Sequence, residues 1–60
     1  MNYDGKDFWL VFKKGVETKK KKLEKKMEEE HDVEILIEYS DILSEINKCL
    51  KVLELFIEDL

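Results

Sequence analysis

The sequence predicts a small α/β domain, ordered β-α-β-α, in which a two-stranded parallel sheet carries both helices on one face. Three observations lead there. Phe8-Trp9-Leu10-Val11-Phe12 is a compact apolar run fenced by Asp7 and by Lys13-Lys14-Gly15; its aromatic and branched residues read as a buried strand. Val33, Ile35, Ile37 and Tyr39 alternate with Glu34, Leu36 and Glu38, a strand-like period of two with one apolar exception. Stretches rich in helix formers lie between and after these two runs.

The elements follow in order. Residues 1–7 are polar with one glycine and form a lead-in. The first strand spans 8–12, and Gly15 marks the turn into a helix near 15–30, whose Val16, Leu23 and Met27 share a face. His31-Asp32 interrupts the pattern before the second strand at 33–39. Ser40 or Asp41 then caps a helix near 41–59. A right-handed crossover makes the strands parallel. Phe8, Leu10 and Phe12 would meet Val33, Ile35 and Ile37 beneath the helices, leaving Trp9, Val11 and Leu36 on the opposite sheet face.

The last third also supports an alternative, a helical hairpin in which residues 33–60 form one long helix. Leu36, Tyr39, Leu43, Ile46, Leu50, Leu53, Ile57 and Leu60 recur at steps of three and four, and Ile35, Ile42, Cys49 and Phe56 recur every seven. The second stripe reaches back into the supposed strand. A hairpin would also lay the lysine-rich segment beside Glu54, Glu58 and Asp59. It would leave Ile37 on the wet side and would not explain the alternation of residues 33–39.

Sixty residues make one domain, residues 1–60, and a chain this short buries only about 60% of the surface its unfolded form exposes. The single cysteine, Cys49, permits no intrachain disulfide and reads as a small buried hydrophobe. Reinforcement is therefore expected from association. No signal peptide or membrane span is legible, which suggests a cytoplasmic protein. The absence of Arg, Ala, Gln and Pro suggests AT-rich coding, as in low-GC microbes and viruses. The net charge of −4 is split, with +5 over residues 1–26 and −9 over residues 27–60, so the chain offers surfaces of opposite sign.

Chemistry-bearing patterns are weak. Lys13-Lys14-Gly15 lacks the remaining glycines of a phosphate loop. Lys19-Lys20-Lys21-Lys22 with Lys25 and Lys26 could neutralise phosphates but has no interleaved aromatic or amide readers. Glu28 and His31 have the spacing of one half of a di-metal motif, and His31 is the only histidine. Carboxylates of the acidic half could imitate nucleic-acid phosphates, but Lys48 and Lys51 share that outer face. No nucleophile pattern is present, so no enzyme, cofactor or metal is expected.

Surplus apolar surface remains. The expected function is therefore a small non-enzymatic protein-binding regulator or inhibitor, with a self-associating structural module as the alternative and a lysine-rich nucleic-acid binder third. The expected contact residues are Trp9, Val11, Leu36, Val52, Leu55 and Phe56. The expected partner is another protein or a second copy in a homodimer, with neither nucleic acid nor membrane.

Overall fold

The computed structural model describes residues 5–60 and contains two helices, α1 (Gly5–Glu29) and α2 (Val33–Glu58), joined by residues 30–32. They fold back on one another as an antiparallel hairpin. No strand occurs among the described residues, so the β-α-β-α architecture is corrected to the hairpin. Of the expected lead-in, residues 1–4 lie outside the described residues; Gly5, Lys6 and Asp7 open α1.

Two physical facts overturn the sheet. A two-stranded sheet is marginal in water however strand-like its residues are, whereas the two helices share a long complementary seam. On α1 the inward residues Trp9, Lys13, Val16, Lys20, Leu23 and Met27 follow steps of four and three. On α2 Leu36, Tyr39, Leu43, Ile46, Leu50, Leu53 and Ile57 follow steps of three and four. A mean period of 3.5 residues on both helices is the pattern of an antiparallel coiled coil. Among the described residues only Leu50, Leu53 and Ile57 are buried, with 9%, 7% and 7% of their surface exposed.

Lys13 and Lys20 occupy seam positions that the sequence hides under their charge. Long lysine stems cover apolar surface while the ammonium reaches water. The Lys13 side chain is 25% exposed, and its Nζ lies 3.5 Å from Glu54 Oε1 across the hairpin. Near the same end Trp9 meets Phe56 edge-to-face, with ring centroids 5.2 Å apart. These two contacts set a register in which Val16 comes level with Leu50, Lys20 with Ile46, Leu23 with Leu43 and Met27 with Tyr39.

The connection explains why α2 begins at Val33 rather than near residue 41. Glu30 Oε1 accepts the backbone N–H groups of His31 at 3.1 Å and Asp32 at 3.0 Å. Asp32 is extended and its Oδ1 accepts the Glu34 N–H at 2.9 Å, capping the helix. Its carbonyl then accepts the Leu36 N–H at 3.0 Å. Ser40 and Asp41 are interior to α2. The early start leaves Ile37 exposed, as expected of a hairpin, and Val33 with it. The principal extents are 46 × 21 × 11 Å, so the hairpin is a slab one helix thick with two broad faces.

Candidate functional site

The two broad faces differ in chemistry. On one, α2 presents the seven-residue stripe Ile35, Ile42, Cys49 and Phe56 beside the seam. At the end of that face remote from the connection, Trp9 gathers three other rings. It meets Phe8 at 5.2 Å, Phe12 at 5.6 Å and Phe56 at 5.2 Å between centroids, all edge-to-face. Such contacts favour the positive ring edge over a negative ring face. Trp9 is half-buried and works as the anchor, whereas Phe8, Phe12 and Phe56 remain 57%, 47% and 43% exposed. Ile42 is half exposed.

The other flank of α2 is polar over its middle turns, beyond the exposed Val33 and Ile37 near the connection. Ser40, Leu43, Ser44, Asn47, Lys48 and Lys51 line an open groove there, and Lys48 Nζ pairs with Glu45 Oε1 at 3.4 Å along the helix. An apolar stripe on one side of α2 and hydroxyl, amide and ammonium groups on the other give the hairpin a dry face and a wet face.

Of the residues expected to bind a partner, Phe56 lies on the dry face and Trp9 anchors its aromatic cluster. Val52 borders the same side of α2 and is exposed, while Leu55 and Val11 stand on the outer ridges of their helices, also exposed. Leu36 sits half-buried in the seam close to the connection, at the opposite end of the hairpin from Trp9. The sheet face that was to bring Trp9, Val11 and Leu36 together therefore does not exist, and they form no common patch. Sequence reasoning missed Phe8, Phe12 and Ile42. The step of four from Phe8 to Phe12 is the signal that could have joined the two phenylalanines, once that run is read at helical rather than strand period.

Cys49 is exposed rather than buried, because the stripe it belongs to lies beside the seam and not within it. The consecutive lysines Lys19, Lys20, Lys21 and Lys22 turn about 100° per residue around α1. Lys20 enters the seam, Lys19 and Lys22 border the dry face, and Lys21 points to the wet one, so the block is not one basic stripe. Among the described residues, no group of three or more His, Cys, Asp or Glu side chains converges as a metal site would require. No helix among them is long and apolar enough to cross a membrane. No known protein family, curated protein or solved structure gives a significant match to the chain.

Proposed function

We propose that the chain is a non-enzymatic protein-binding module that works by docking its dry face against a partner surface, either that of another protein, which it would regulate or inhibit, or that of a second copy. The observation that carries this reading is the exposure of Phe8, Phe12, Ile42 and Phe56 on one side of the slab. Aromatic anchors ringed by charge have the anatomy of an interface core and rim. Nucleic-acid binding has weaker support. The lysines fan around α1, and the exposed rings cluster at one end rather than interleaving with them.

The test compares three immobilised chains for retention of proteins from source-cell extract and of the purified chain itself. These are the unmodified chain, Ile42→Lys/Phe56→Lys on the dry face, and Lys48→Ser/Lys51→Ser on the wet face. Retention lost only in the first variant is the expected result. Equal retention by all three, or none by any, refutes docking through this face.

A further inference from the structure

The dry face combines its apolar surface with two rims of opposite charge. Along α1 its border is basic, formed by Lys19, Lys22 and Lys26. Along α2 its border is acidic, formed by Glu38 and Glu45. A face with positive and negative halves side by side is complementary to itself after a half-turn. Taking the docking reading above as its premise, we propose that the occupant of the dry face is a second copy of this chain, giving a four-helix bundle whose two connections lie at the same end.

The orientation follows from charge and level. A two-fold axis parallel to the helices lays α1 of each copy over α2 of the other and keeps heights unchanged. In the hairpin's own register, Lys26 then comes beside Glu38 of the second copy, and Lys19 and Lys22 flank its Glu45. Phe8 and Phe12 come level with Phe56. The lysine stems would cover Ile42 and Cys49 while their heads meet the acidic border. The other two-fold arrangement, with connections at opposite ends, sets α1 on α1 and stacks lysines on lysines; like charges in register oppose it.

Area points the same way. The chain exposes 5136 Å², about 1,000 Å² more than the scaling law gives a compact monomer of 7.2 kDa. A slab of 46 × 21 Å in its broad plane offers each copy a face of about 900 Å², close to the ~800 Å² per partner of a standard stable interface. The slab is 11 Å thick, one layer, whereas a domain needs two packed layers to enclose a core. A second hairpin supplies the missing layer.

Two measurements on the full chain test the proposal. In light scattering or sedimentation at tens of micromolar, the expected mass is twice 7.2 kDa. Ile42→Lys should weaken the dimer by at least ~30-fold in dissociation constant, the effect of losing a central anchor, with helicity retained in circular dichroism. Lys26→Glu and Glu38→Lys should each weaken it, and the double exchange should recover most of the loss. Orientation is read from His31→Cys/Cys49→Ser, which places the only thiol at the connection. A bis-maleimide with a reach near the 8–10 Å spacing of packed helices should join two such chains efficiently.

A dimer that resists this cross-link has its connections at opposite ends and overturns the arrangement. A monomer overturns the dimer altogether. In that event, foreign-protein retention lost in Ile42→Lys/Phe56→Lys preserves the docking reading alone, and its absence removes both.

Discussion

Replacing Gly15 by Ala separates the hairpin from the sheet more sharply than any core substitution. In the sheet architecture Gly15 is the turn between strand and helix, where glycine supplies freedom that alanine lacks. In the structure it lies inside α1, ten residues after Gly5. Its φ is not positive, and a Cβ built on it meets no atom within 4 Å. Nothing in the folded chain therefore resists the methyl group. Glycine in a helix interior costs about 0.8–1.0 kcal/mol relative to alanine, through backbone entropy lost on folding. Gly15→Ala should stabilise the fold by about that amount. For a domain of this size the gain corresponds to a rise of roughly 4–8 °C in Tm. Thermal melting followed by far-ultraviolet circular dichroism checks it, with both chains at equal concentration because association shifts apparent stability. A fall in Tm, without loss of helical signal at low temperature, would mean that residue 15 requires a conformation the hairpin does not contain.

Four further variants probe other parts of the structure. Leu53→Ala should cost about 2–5 kcal/mol in chemical denaturation, a large share of the ~3–9 kcal/mol total expected of 60 residues, because Leu53 is among the few buried side chains. Lys20→Leu should stabilise by about 1 kcal/mol, since the seam level with Ile46 would gain apolar contact; a destabilised variant would place Lys20 outside the seam. Asp32→Ala should cost about 1 kcal/mol by removing the acceptor for the Glu34 N–H, read as lower Tm and faster amide exchange in the first turn of α2. Val52→Lys/Leu55→Lys should leave helicity intact, because both side chains are exposed; unfolding of that variant would show that they are core.

The C-terminal half was legible from residue 41 onward, where a helix is expected and found, but residues 33–39 were misread as a strand because the exposed Val33 and Ile37 superimpose a period of two on the first turns of α2. Leu36 to Ile57 faces the seam at the spacing the sequence displays, and the parallel stripe of Ile35, Ile42, Cys49 and Phe56 displays the adjoining face. The N-terminal half was not legible for two reasons. Lys13 and Lys20 conceal two of the inward positions of α1, since a residue scale registers the charged head and not the stem. The run Phe8 to Phe12 is apolar on every side of its turn, which erases helical period and imitates a strand. A buried strand and the greasy end of a helix have the same composition over five residues, so only the partner decides between them. Trp9 decides it here, through its contact with Phe56 on the opposite helix.

The same run connects the fold to the proposed function. A helix that served only its own hairpin needs one apolar residue in each turn at this end, and Trp9 with the stem of Lys13 fills that need. Phe8 and Phe12 pack edge-to-face on Trp9, yet each keeps about half of its surface in water. An isolated hairpin would gain solubility from polar residues at both positions. Their side of the helix is the side on which α2 carries Ile42 and Phe56, whereas the opposite flank of α2 carries Ser40, Ser44 and Asn47. Leu10, Val33 and Ile37 are exposed on the other flank, but they stand apart, Leu10 at one end of the hairpin and Val33 with Ile37 at the other, whereas Phe8, Phe12 and Phe56 gather around Trp9. Under the proposed docking, that ring cluster makes the dry face, rather than the outward ridge of Val11 and Leu55, the surface whose loss should abolish binding.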